Sequence, residues 1–291
     1  MPSEIPLRQN KHYSTASVFS PANLLREARR QKGLAPGRVP AVCVLDPDGD
    51  ILAYLIRRKW AKPDPFWACY HTTLYRFPLP GIRLGIIACA VGGPFAVLLA
   101  EQLFVSGCRL LIEITSAGQI LPVRTPPYFV LIERALRDEG TSHHYLPPAR
   151  YARLDPGLGA KLRRGLQGFA PAVERGASWT TDAPYRETAE AIEAARAEGI
   201  LAVEMEAASL YAFAQARRKP VVCFAHVTNQ MARVEGDFEK GEADGSVQSL
   251  RLIAAVARCL RPSSKRRSGP AAKSVSSARK KLSQTNRKSY P

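Results

Sequence analysis

Seventeen consecutive residues, Leu84 to Ala100, carry no charge, yet Gly92-Gly93-Pro94 interrupts them in the middle. A membrane span needs roughly 20 apolar residues in one unbroken element, and adjacent glycine and proline mark a turn. The stretch therefore reads as a strand, a turn and a helix. Leu84–Ala90 supplies the strand, Pro94 suits the first helical position, Phe95–Val105 carries the helix and Gly107 caps it. A second strand, Leu110–Ile114, follows and ends in Thr115-Ser116-Ala117-Gly118. Strand, helix and strand with a right-handed crossover make the two strands parallel. Both small-residue turns then emerge at the carboxyl edge of the sheet, where open α/β sheets take their ligands.

The same alternation extends over most of the chain and sets the fold class as α/β. Ala41–Leu45 is a buried strand ending in the turn Asp46-Pro47-Asp48-Gly49, and Ile51–Arg58 fits a short helix. A segment rich in proline and aromatics, Lys62–Phe77, comes next. Further on, the loop Trp179–Arg186 leads into a helix over Glu187–Glu198 that Gly199 stops. An apolar strand, Ile200–Val203, runs into Glu204-Met205-Glu206 and a helix that continues to about Arg218. Lys219-Pro220 breaks that helix, and Val221–Val227 is another buried strand, ending at Thr228-Asn229. Two carboxylates thus stand where a helix begins, the end at which its dipole favours negative charge.

Charge divides the chain. Of 42 Lys and Arg, ten fall in residues 261–291, which contain no Asp or Glu, so the rest carries 32 basic against 25 acidic residues and a net charge of only +7. That basic segment has almost no apolar residue and reads as a disordered, solvated tail, the alternative being weak, nonspecific and salt-dependent contact with nucleic acid. Residues 1–37 are polar, interrupted by Pro and Gly, and read as an N-terminal arm with a short helical pattern at Leu24–Gln31. Residues 38–260 are the expected domain. Six cysteines are scattered singly with no C-x-x-C pair, and Met1–Pro6 lacks the charged-then-apolar pattern of a secretion signal. The expectation is a cytoplasmic protein with reduced thiols and no membrane span. No His, Cys or Asp set has metal-ligand spacing, and neither G-x-x-x-x-G-K-[ST] nor G-x-G-x-x-G occurs, so neither metal nor nucleotide cofactor is expected.

Four segments point further: Val91-Gly92-Gly93-Pro94 with its helix, Arg137-Asp138-Glu139-Gly140-Thr141-Ser142-His143-His144-Tyr145, the Thr181-Asp182-Ala183-Pro184-Tyr185 loop, and Val203-Glu204-Met205-Glu206-Ala207-Ala208. In order and approximate spacing, over residues 40–260, they resemble the nucleoside phosphorylase family, which includes uridine phosphorylase, purine nucleoside phosphorylase and related nucleosidases. The resemblance implies one α/β domain with a mixed, partly barrel-like central sheet flanked by helices. It also implies homo-oligomers with sites near subunit contacts, and nucleoside and phosphate as partners, phosphate being the co-substrate.

The resemblance also implies roles. Glu206 takes the ribose hydroxyls and Met205 packs beside the sugar, with Glu204 in the same element. A carboxylate accepts from two vicinal hydroxyls, and a thioether tolerates the apolar sugar face. Gly92, Gly93, Ser116, Ala117 and Gly118 form the small-residue turns for phosphate; Asp182 and Tyr185 belong to the base loop; Asn229 stands at the leaving base. His144 matches a family histidine and reads equally well as structural, while Arg137 fixes its loop. Departures are equally informative. Glu113 stands where the family usually has an arginine, and Leu45-Asp46-Pro47-Asp48-Gly49 replaces a Gly-Asp-Pro-x-Arg phosphate loop. Asn229 replaces the acid of purine-specific members and cannot be a general acid. Pro184 replaces an aromatic. The first expectation is therefore phosphorolysis of a nucleoside to free base and pentose 1-phosphate. A nucleosidase using water and a non-catalytic nucleoside-binding paralogue are the alternatives.

Overall fold

The computed structural model describes residues 5–231 and 235–260; the basic segment expected to form a tail, and the first four residues of the arm, lie outside them. Ten strands form one mixed sheet: β1 (Val42–Asp46), β2 (Lys62–Pro63), β3 (Tyr75–Leu79), β4 (Ile82–Ala88), β5 (Leu110–Gln119), β6 (Tyr128–Asp138), β7 (Tyr151–Arg153), β8 (Val173–Thr181), β9 (Ile200–Glu204) and β10 (Val221–Asn229). Seven helices accompany them among the described residues: α1 (Pro21–Gln31), α2 (Asp50–Arg57), α3 (Gly93–Val105), α4 (Pro156–Gly165), α5 (Ala189–Ala197), α6 (Ala207–Arg217) and α7 (Ser246–Cys259). Along the sheet the order is β10-β6-β8-β9-β5-β1-β4-β3-β2, with β7 on β6. Because β10 also pairs with β5, strands β5, β10, β6, β8 and β9 close into a five-stranded barrel.

Strand β1 lies between β4 and β5, parallel to both, and every residue of its Val-Cys-Val-Leu-Asp run is buried. Burial on both faces is what a continuous apolar strand requires. The crossover from β4 through α3 to β5 therefore skips one strand, keeping the parallel relation expected from sequence. Helix α3 is buried along most of its length, and α6 packs against it with seven buried residues. Helix α1 is amphipathic: Ser20 Oγ accepts from the Asn23 N–H at 3.2 Å, and Leu25 and Ala28 face inward against Ala68. Part of the expected arm thus packs onto the domain.

Two sequence readings change. Thr115-Ser116-Ala117-Gly118 is not a loop but the continuation of β5, because β10 and β9 flank it and satisfy its backbone on both sides. Likewise Trp179–Thr181 is strand, paired with β6 and β9, and the loop begins only at Asp182. Cys43, Cys69, Cys108 and Cys223 are buried free thiols, while Cys89 is exposed. No helix among the described residues is long and apolar enough to cross a membrane.

Candidate functional site

The carboxyl ends of β1, β5, β9 and β10, with the segments following β4 and β8, surround a cavity of about 400 Å³. Its lining includes Asp48, Val91, Thr115, Ser116, Ala117, Gly118, Tyr185, Glu187, Glu204, Met205, Glu206 and Asn229. Most of the candidate residues read from the sequence are therefore brought together.

Glu206 is 1% exposed. Its Oε1 accepts from the Gly92 N–H at 2.6 Å and its Oε2 from the Met205 N–H at 3.3 Å. Gly92 has φ +88°, a conformation that favours glycine and aims its N–H into the site. Burial, reinforced by the neighbouring Glu204 charge, pushes the Glu206 carboxyl up to about 8. Glu204 is different in kind. Its carboxylate accepts from Ser178 Oγ (2.8 Å), Thr180 Oγ1 (2.5 Å), and the N–H groups of Glu206 and Ala207 (2.7 Å each). Four donors saturate it, so Glu204, rather than Glu206, ties down the start of α6.

Ser116 holds an anion already. Its N–H and Oγ–H donate to the Asp48 carboxylate at 2.8 and 2.6 Å. Asp48 is presented by a turn that Asp46 fixes, accepting from the N–H groups of Gly49 (3.2 Å) and Leu52 (2.9 Å). No Lys or Arg is among the described residues lining the cavity. Lys240 Nζ reaches 4.0 Å from Asp48, with its short contact, 2.6 Å, made to Asp50. Glu113 is fully buried in β5, with neither oxygen hydrogen-bonded. Burial, then the charges of Glu206 and Glu204, push its carboxyl well above the ordinary range.

At the other end, Asn229 Oδ1 accepts from the Met231 N–H at 3.0 Å and its Nδ2 donates to Thr228 Oγ1 at 3.2 Å. Tyr185 stands on the rim, 99% exposed. Glu187, half-buried in the lining, is pushed up to about 7 by desolvation. It was not a sequence candidate; nothing in Arg186-Glu187-Thr188 marks it until the cavity wall is built around it. Asp48, Thr115 and Glu187 are the additions that the structure makes. At Gly118 the wall is close: a Cβ there would stand 2.5 Å from Met231 Sδ and 3.2 Å from Val203 Cγ1, so a larger residue would displace the Met231 side chain.

Three candidates fall outside the lining. Asp182 accepts the Gly140 N–H at 2.8 Å and so braces the segment after β6. Gly92 acts through its N–H on Glu206, and Gly93 is buried under Ser209. Arg137 does fix its loop, donating to Ser142 Oγ (2.8 Å), Pro147 O (2.7 Å) and Leu146 O (3.1 Å). His143 and His144 stand beside Arg137 and Lys11, outside the cavity lining. No cluster of three or more His, Cys, Asp or Glu able to hold a metal occurs among the described residues.

Comparison with known proteins agrees with this architecture. Uridine phosphorylase from Vibrio fischeri ES114, complexed with 6-hydroxy-1-naphthoic acid, is similar with TM-score 0.62 at 19% identity, covering 78% of this chain and 91% of that one. Purine nucleoside phosphorylase from Toxoplasma gondii, complexed with immucillin-H, gives TM-score 0.64 at 15% identity, covering 76% and 90%. These likenesses carry the fold. No curated protein sequence matches the chain. The family model described as the phosphorylase superfamily matches residues 42–261, most of the chain, which therefore belongs to that superfamily.

Proposed function

We propose that the chain cleaves the N-glycosidic bond of a ribonucleoside with water, rather than phosphate, as the acceptor of the pentosyl group. The observation that carries this reading is the Asp48 carboxylate seated on the Ser116 N–H and hydroxyl. A phosphate dianion at that position would have to displace the Asp48 carboxylate, with no guanidinium in the lining to receive its charge. Water has no such difficulty. Asp48 is then the base that takes its proton as the oxygen attacks C1′, Glu206 binds the ribose hydroxyls, and Met205 lies against the sugar. Glu187, poised near neutrality, gives a proton to the departing base, a task that Asn229 cannot perform. The steps balance with water as the only co-reactant and use no metal or nucleotide cofactor.

The apolar rim supports assembly. Tyr185, Val91 (54% exposed) and Phe238 (61%) stand together around the mouth and fit a second copy of the chain closing the site. Phosphorolysis is the second reading, favoured by Lys240, a cation 4.0 Å from Asp48 that would neutralise it on exchange with phosphate. The two are separated by incubating a nucleoside panel with and without phosphate and identifying the sugar product. Free pentose formed at the same rate in both is expected. A strict phosphate requirement with pentose 1-phosphate as product would overturn the hydrolytic reading, and no turnover with retained nucleoside binding would leave a binding paralogue.

A further inference from the structure

One surface has no part in the nucleoside cavity. Between Asp50 and Asp64 the chain carries no acid but four cations, Arg57, Arg58, Lys59 and Lys62, with Trp60 set among them. All five residues are exposed, and none of them lines the cavity. They lie at the end of α2 and on β2, the outermost strand of the sheet.

The close of α2 fixes the indole in place. The N–H groups of Lys59 and Trp60 donate to the carbonyls of Ile56 (2.8 Å) and Leu55 (2.9 Å), and Lys59 has φ +59°, the left-handed position that usually takes glycine. Trp60 is thereby turned back onto α2, its ring meeting Tyr54 edge to face with centroids 6.1 Å apart. The Arg58 guanidinium lies 5.4 Å from the centre of the same Tyr54 ring. Trp60 is still 49% exposed. The cations are not needed as caps, because the backbone N–H groups of Arg58, Lys59 and Trp60 already reach the carbonyls of Tyr54, Ile56 and Leu55. Nor do acids of neighbouring elements neutralise them. Asp64 takes Arg76 and the Phe66 N–H, Asp50 takes Lys240 at 2.6 Å, and Asp244 reaches only Arg57, at 4.0 Å. Helix α7, packed against α2, contains no acid. Among the described residues, Arg58, Lys59 and Lys62 therefore have no carboxylate within ion-pair distance.

We propose that this surface binds a single-stranded polynucleotide, one base stacking on the Trp60 indole while Arg57, Arg58, Lys59 and Lys62 hold the flanking phosphates. An aromatic plane held among cations suits a single strand, in which every base offers a π face and every linkage a negative charge. A duplex keeps its base faces stacked inside. A bilayer fits worse still, because Ile56 and Trp60 are the only large apolar residues exposed between Asp50 and Asp64, too little to sink into lipid.

The chain carries its own reporter. Of its three tryptophans, Trp67 and Trp179 are 5% exposed, so quenching of the full chain's fluorescence by a stacked base reads Trp60. Oligouridylate is the probe, titrated at low ionic strength, with inorganic polyphosphate, an RNA duplex and anionic phospholipid vesicles as parallel arms. Oligouridylate is expected to quench saturably and polyphosphate to leave the emission unchanged. Anisotropy of labelled oligouridylate should show binding weakened roughly tenfold in Trp60→Leu, and its salt dependence made shallower in Arg58→Gln/Lys62→Gln. Both variants lie outside the cavity lining and should cleave nucleosides at the wild-type rate. The proposal is overturned if saturating oligouridylate leaves the wild-type emission unchanged, if Trp60→Leu binds it equally, or if polyphosphate or the duplex quenches as strongly. A shift of emission with vesicles and none with oligouridylate would overturn it in favour of a lipid surface.

Discussion

Three carboxyl groups packed into one interior cannot all carry charge, and their hydrogen bonds decide which one does. Glu204 has four donors, Glu113 has none, and Glu206 lies between with two backbone N–H groups. Ribose hydroxyls donating to Glu206 favour its ionised form, so binding to the free protein releases a proton. Ribonucleoside affinity should therefore rise with pH up to about 8 and then level off. The stability sign is opposite. A carboxyl raised in the folded state contributes stability that is fully present below its unfolded value and lost as pH rises through about 8. Glu206→Gln should abolish the pH dependence of affinity, weaken ribonucleosides by about 1.5–3 kcal/mol and deoxyribonucleosides less, and raise the melting temperature most at pH 9. Glu204→Gln should instead destabilise by roughly 1–3 kcal/mol, since an amide NH2 would face N–H and O–H donors. Calorimetric melting and ligand titration across pH separate the two. Glu187 carries a third expectation: kcat declines as pH rises above about 7, and Glu187→Gln lowers kcat by about 100-fold and removes that alkaline limb. An unchanged pH–kcat profile in the variant would exclude it as the proton donor.

At the scale of elements, the junction of α3 and α6 sets the site's geometry. Gly93 begins α3, and a Cβ there would stand 2.1 Å from Ser209 Oγ on α6, a hydroxyl that also donates to the Glu139 carboxylate. Gly93→Ala should push the two helices apart, cost roughly 1–3 kcal/mol in thermal unfolding and move the Gly92 N–H off Glu206, so turnover falls with stability. Full stability and wild-type KM would refute that coupling. This junction was legible beforehand: Gly92-Gly93-Pro94 and Glu204-Met205-Glu206 are local signals, each turning a strand into a helix within a few residues. The continuation of β5 through Gly118 was not legible, because small residues read as turn chemistry unless the flanking strands are known. Glu187 and Asp48 as wall residues escaped for a related reason. Their character comes from burial and from segments far apart in sequence, which no local pattern records.

For the whole molecule, barrel closure brings the carboxyl ends of the parallel strands β5 and β10 up to that of β9, which runs antiparallel to β5, and so walls the cavity on the sides away from its mouth. There the chain leaves side chains it does not cover itself. A tyrosine 99% exposed beside Val91 and Phe238 is a patch that monomeric proteins seldom keep, and the resemblance read from the four motifs implies subunit contacts near the site. The expected outcome is a homo-oligomer in which a second copy shields this mouth. Light scattering coupled to size exclusion should give a mass that is a multiple of 31.9 kDa. Tyr185→Ser should shift it toward the monomer, raise KM by exposing the site to water, and leave the melting temperature extrapolated to low protein concentration unchanged. A chain that runs as a monomer at micromolar concentration while turning over nucleosides would show that the mouth is closed by the substrate itself, and Tyr185→Ser would then raise KM without any change of mass.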